Sequence, residues 1–162
     1  MHIRYLKIMF AALTGLMALI YVGQNFMNVS AAHQAIIYVM SGADHAVYTH
    51  SFGPKFDQPM MAWVAIIIIF SLEIITGVLL FKGVWDMWKQ RKADSASFEQ
   101  SKKWAQIGSG MGILVWFGLF GVIGAAFFQM WQTQVGTGSM NGAFQYFASC
   151  AFTLLFLNQS DK

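Results

Sequence analysis

Glu73 stands in the run IIIIFSLEIITGVLL (66–80), where every other residue is apolar, small or hydroxyl-bearing. A carboxylate in such company can do one of two things. It can carry a proton or a cation through a membrane, or, kept neutral, it can hydrogen-bond one helix to another. Asp, Lys or Arg at the centre of a membrane helix costs roughly 2.5–3.5 kcal/mol, so Glu73 must be neutral, paired or facing water. Thr76 and Gly77 lie three and four residues on, which turns this face toward another helix. No lysine or arginine lies at matching depth in the other apolar stretches. The expected partners are therefore Thr14, Ser149, Thr153 or a water. The preferred expectation is a buried, protonated, structural acid, because a transport path usually calls for more than one polar group.

Histidines are the other chemical candidates. His45 and His50 share a stretch with Asp44 and Asp57, and His33, Met40, Met60 and Met61 are near in sequence. These donor types suit zinc or copper, but their spacing matches no ligand pattern, so His45, His50, Asp44 and Asp57 stand as metal candidates only. A haem needs an axial ligand, usually histidine, and His33 alone sits near the apolar stretches. Cys150 is the single cysteine, which excludes an intrachain disulfide and a thiolate cluster and makes it a packing residue. No nucleophile–base pair, phosphate loop or nucleic-acid patch is present. The sequence thus predicts no enzyme, no catalytic residue, no cofactor and no nucleic-acid partner; bound lipid is expected.

The elements that must position these residues follow from composition. The chain is 57% hydrophobic and 10% charged, against about 25% charged in ordinary soluble domains, and its mean hydropathy is +0.52. Most side chains therefore face lipid. Four stretches are long and apolar enough to span, at about 8–27, 60–81, 107–130 and 143–157. A crossing needs roughly 20 helical residues for a ~30 Å core, so the fourth must borrow 140–142 and Asn158. Strands are excluded because the stretches lack strict alternation and four strands cannot close a barrel. The reading is one all-α, four-helix transmembrane domain over 1–162.

Charge sets the orientation. Arg4, Lys7, Lys82, Lys89, Arg91, Lys92, Lys102, Lys103 and Lys162 fall on one side and only Lys55 on the other, so both termini and the 83–103 connection are expected in the cytoplasm. The membrane is read as a bacterial inner membrane. A signal peptide, with Arg4 and Lys7 as its basic region and "VSAA" as its cleavage site, is the rival reading of the N-terminus; the segment is taken as a retained span. Outside, VSAAHQAIIYVMSGAD predicts a short amphipathic helix between spans one and two that Gly42 ends, followed by an irregular loop with a Gly53–Pro54 turn and Pro59 in the next helix's first turn. Trp85 and Trp88 suit the interfacial belt, and "SFEQ" marks a start for the third helix.

The third span is rich in glycine. Gly108 and Gly112 form a small-xxx-small pair, and Gly118, Gly121 and Gly124 recur every third residue, which predicts a stripe packed against another helix. The stretch FGLFGVIGAAFFQMWQT, followed by MNGAFQYF, resembles the bacterial small integral membrane proteins called domain of unknown function 2165. Met130, Trp131, Gln132 and Thr133 match that family's exit from its glycine-rich helix, and Asn141 with Gly142 its Asn-Gly turn before the last span. YVMSGAD is similar to a family stretch at Val39, Ser41 and Asp44, with one residue inserted, and Glu73 falls where the family carries a glutamate. Tyr38 replaces a family histidine and Ala126 a family glutamate, so no ligand role carries over at either. The resemblance implies four spans and supplies no activity. Three function classes follow: an accessory or scaffold subunit of a larger membrane complex, whose partners are other subunits or copies of itself; a small proton-coupled transporter or channel built on Glu73; and a metal- or quinone-linked redox protein. The first is preferred.

Overall fold

The computed structural model describes residues 2–51 and 53–161; Phe52 of the loop and Lys162 of the basic set lie outside them. Helices are the regular structure of the described residues, among which there is no strand. The order is α1 (His2–Met27), α2 (Val29–Ser41), α3 (Pro59–Gln90), α4 (Ser95–Ser101), α5 (Lys103–Ile113), a π-helical segment (Leu114–Phe127), a 3-10 turn (Met130–Gln132) and α6 (Gln134–Leu157). Among the described residues four helices are long and apolar enough to cross a membrane, as expected: His2–Met27, Pro59–Gln90, Ser95–Phe127 and Gln134–Leu157.

Each span buries a stripe of small and apolar residues at helical spacing. In α1 the stripe is Ile8, Ala11, Gly15, Ala18 and Val22. In α3 it runs Ala62, Ile66, Phe70, Glu73, Gly77, Leu80 and Met87, so Glu73 sits on the line that packs inward. In α6 it recurs every seventh residue, at Gly136, Ala143, Cys150 and Leu157. The opposite faces expose large apolar side chains such as Leu13, Ile67, Val78 and Phe152, as lipid contact requires.

The helices outrun the expected spans: the first starts at His2 rather than 8, the second runs to Gln90 rather than 81, and the third starts at Ser95 rather than 107. Two further boundaries move for a local reason. The third span ends at Phe127 rather than 130, because Phe128 bonds back to Ile123 and Gln129 turns the chain with φ +53°. The fourth begins at Gln134, nine residues before 143, capped by the Thr133 hydroxyl, which accepts from the Gly136 N–H at 3.0 Å. Asn141 and Gly142 consequently lie inside α6 and form no turn. Asn-Gly favours a turn when water can satisfy the freed backbone groups; at membrane depth the helix satisfies them and continues.

Apart from the irregular stretch 42–58 between α2 and α3, the connections are short. α2 folds back from Asn28 and lays Val29, Ala32 and Ile36 on Val22, Ile66 and Phe70; Gly42, at φ +65°, ends it. α4 starts at Ser95, two residues before "SFEQ", because Asp94 caps it through the Ser97 N–H at 3.0 Å and the Ser97 hydroxyl at 2.8 Å. The link from α3 to α4 is held by the Arg4 guanidinium, which donates to the carbonyls of Arg91 and Ala93.

Candidate functional site: a buried carboxylate behind an apolar cavity

Glu73 is 2% exposed. Its neighbours along the inward line, Phe70, Thr76 and Gly77, are buried too. The Gly77 face meets Leu19 of α1, and a Cβ built at Gly15 would lie 3.0 Å from Leu80. This close approach of α1 and α3 brings the end of α1 over Glu73. There the Asn25 side-chain amide donates to Glu73 Oε2 at 3.1 Å. No ion pair among the described residues involves Glu73.

The expected hydroxyl partners are placed elsewhere. Thr14 donates to the Phe10 carbonyl at 2.9 Å and pairs with Thr153 at 2.8 Å, which links spans one and four. Ser149 donates to the Gln145 carbonyl of its own helix at 2.8 Å. Thr76, one turn beyond Glu73, donates to the Leu72 carbonyl at 2.8 Å and not to the carboxylate. A buried hydroxyl in a helix takes the carbonyl one turn back when nothing better is in reach. Asn25 closes a span 48 residues away, so no local pattern links it to Glu73; the polar pair Gln24–Asn25 ending an apolar run is the signal the sequence carries.

Asn25 also lines an apolar cavity of about 400 Å³. Ala32, Ala35, Ile36 and Val39 of α2 form one wall, Ile68, Ile69 and Phe70 of α3 another, and Leu119, Phe120 and Ile123 of the π segment a third. The amide therefore touches both the carboxylate and the cavity. Chemically, the pair offers one acid and one amide at the edge of a space that apolar groups can fill.

The π winding of Leu114–Phe127 shapes the third wall. Runs of this length are rare, since π-helix usually occurs as single-turn bulges, often at functional sites. It also corrects the expected glycine stripe. A wider helix with more residues per turn does not stack every third residue on one face. A Cβ at Gly118 or Gly121 would meet only Leu114 or Phe117 of the same segment, at 3.4 and 3.3 Å. Gly124 faces the Met130 sulfur, 2.8 Å from its would-be Cβ. The α-helical pair behaves differently: a Cβ at Gly108 would lie 2.8 Å from the Leu80 backbone nitrogen, and one at Gly112 2.5 Å from Cys150 Sγ.

Each residue of the Met-Trp-Gln-Thr stretch has a place. Met130 is buried against Gly124 and Gly136. Trp131 packs edge-on to Tyr48 with ring centroids 5.2 Å apart. Gln132 Oε1 accepts the N–H groups of Val47 and Tyr48 at 3.0 and 2.7 Å, and Thr133 caps α6. This stretch therefore pins the loop after α2 to the start of span four.

The metal candidates are not brought together. Among the described residues no three His, Cys, Asp or Glu side chains converge on a point that could hold an ion. Asp44 accepts the Tyr38 hydroxyl at 2.8 Å, and His50 and Asp57 are exposed. His45 has its Nε2 buried without a partner; burial and the nearby Lys55 push its imidazole below the usual range.

At the far end lies a cluster the sequence did not announce. Lys7 and Lys102 are fully buried, and both ammonium groups pair with the Asp161 carboxylate, Lys7 at 3.1 Å. Both also donate to the Gln159 carbonyl. Ser95 donates to the Asp161 carbonyl at 2.8 Å. The C-terminal tail is thereby tied to spans one and three. These lysines read as orientation charges in sequence, and nothing in their spacing points to Asp161.

No curated protein and no solved structure gives a significant match to the chain. The family model described as predicted small integral membrane protein (DUF2165) matches residues 3–160. With nearly the whole chain matched, and with four apolar helices of spanning length in the structure, this protein belongs to the DUF2165 family of integral membrane proteins.

Proposed function

We propose that the protein is a non-catalytic structural subunit of a membrane assembly, with Glu73 serving as a neutral tie between spans one and two. One observation carries this reading: the Asn25 amide holds Glu73 across the helix interface at 3.1 Å, where no cation among the described residues pairs with it. The same use recurs along the molecule. Thr14 with Thr153 joins spans one and four, and Lys7 and Lys102 with Asp161 join spans one and three to the tail. Polar groups that link helices make a unit of fixed shape. Its lipid-facing surface is large, the bias of basic residues supports cytoplasmic termini, and a bacterial inner membrane is the membrane proposed.

The cavity favours a second reading, a small proton-coupled transporter, because Asn25 connects Glu73 to a space of about 400 Å³. Replacement of Glu73 separates the two. Glu73→Gln keeps the size of the neutral acid and should unfold within a few degrees of the parent and complement a deletion strain. Glu73→Ala leaves the Asn25 amide unsatisfied and should lose roughly 1–3 kcal/mol. Proton flux in liposomes that the parent supports and Glu73→Gln abolishes, with folding intact, would overturn the structural reading, because an amide cannot release a proton.

A further inference from the structure

Span four is the least hydrophobic span and yet among the least covered. Its best window has mean hydropathy 1.2, against 1.9, 2.7 and 2.0 for the other three, and 22% of that window is buried inside the chain, against 39% for span one. A helix left to lipid should be the most apolar of a set. The conflict has a location. Opposite the buried line of Gly136, Ala143, Cys150 and Leu157, α6 exposes Gly138, Asn141, Gln145, Ser149 and Phe152. Their spacing of three and four residues makes one continuous face. Gln145 sits midway along Gln134–Leu157. The side-chain amides of Asn141 and Gln145 take no part in any hydrogen bond among the described residues. Hydrocarbon offers them no partner, and an unpaired amide there is strongly disfavoured.

We infer that this face of α6 docks a second copy of the same chain, with Asn141 and Gln145 hydrogen-bonded across the interface at mid-membrane. Three features select a second copy. A carboxamide carries both donor and acceptor, so a row of them is its own complement when each residue meets its equivalent at the same depth. No charged residue lies on the face, so nothing there selects a partner of opposite charge. Eight of the nine described basic residues lie at one end of the bundle, which inserts both copies the same way up and places the two-fold axis along the membrane normal. Gly138 has nothing within 4 Å of its would-be Cβ, so the backbones are free to approach there. The inference rests on α6 alone and goes beyond the role proposed for Glu73; either can fail without the other.

The test uses the purified full-length protein in liposomes at low protein-to-lipid ratio, where the only available partner is a second copy. In a Cys150→Ala background, Asn141→Cys and Gln145→Cys should form disulfide-linked dimers under a mild oxidant at least tenfold faster than Leu13→Cys or Val78→Cys on the lipid faces of spans one and two. Energy transfer between labelled copies of the parent should show self-association, and the double variant Asn141→Leu, Gln145→Leu should weaken it at least tenfold while keeping its helical circular dichroism. Monomeric parent protein, equal cross-linking at all four positions, or unchanged association in the double variant would each overturn the inference. A link from Gln145→Cys to a different polypeptide in native membranes, with a monomer in liposomes, would overturn the choice of partner.

Discussion

Asp161 holds two buried ammonium groups near the end of the chain, and its chemistry sets a pH dependence. Burial pushes its carboxyl up, but the hydrogen bonds from Lys102 and Lys7 outweigh this and hold it below the usual carboxylate range. A carboxylate whose folded value is depressed contributes stability above its unfolded value, about 3.9, and loses it as pH falls through the folded value. Tail docking should therefore be constant from about pH 7 to 5 and weaken only below about pH 4. Asp161→Asn should loosen the tail at neutral pH by roughly 1.5–3 kcal/mol, the range for hydrogen bonds to charged groups. Hydrogen exchange at residues 158–161 measures both effects; a tail equally protected in Asp161→Asn would contradict them. At this scale the sequence was unevenly legible. Glu73 announced itself by its apolar surroundings, while Asn25 and Asp161 did not, because a tertiary partner 48 or 154 residues away leaves no local pattern.

The glycines of the third span separate by winding. In α5 the α-helical spacing sets Gly108 and Gly112 against Leu80 and Cys150. In the π segment Gly118 and Gly121 face their own turn. Gly108→Ala should cost about 1–3 kcal/mol, since the atom it meets is the Leu80 backbone and α3 must move to admit it. Gly118→Ala, in ordinary contact at 3.4 Å with a flexible leucine, should change stability by no more than about 0.5 kcal/mol. Thermal unfolding of the two variants checks the contrast, and equal losses would mean that Gly118 also meets another helix. The existence and number of the spans were legible because about 20 apolar residues have one use in a membrane. The π winding was not legible, because hydropathy counts residues and is blind to the hydrogen-bond register. The start of span four was hidden for a related reason: GTGSMNG reads as a turn by its residue types and is helical by its depth.

Across the whole molecule, the sequence placed Arg4, Lys82, Lys89, Arg91, Lys92 and Lys103 with the two buried lysines at one end, and Lys55 alone at the other. Reporter fusions at the C-terminus and within 45–51 should show the first cytoplasmic and the second outside; a C-terminal fusion active only outside would reverse the assignment. What four spans could not convey is how they are joined, since pairings such as Asn25 with Glu73 and Thr14 with Thr153 depend on crossing geometry. These pairs tie the helices. A double-mutant cycle on Asn25 and Glu73, with each residue replaced by alanine singly and together and unfolding measured in bilayers, tests this most directly. Hydrogen bonds between membrane helices average about 0.6 kcal/mol in such cycles and reach about 1.7, and a favourable coupling within that range is the expected result. Strictly additive losses, with no coupling between Asn25 and Glu73, would contradict it.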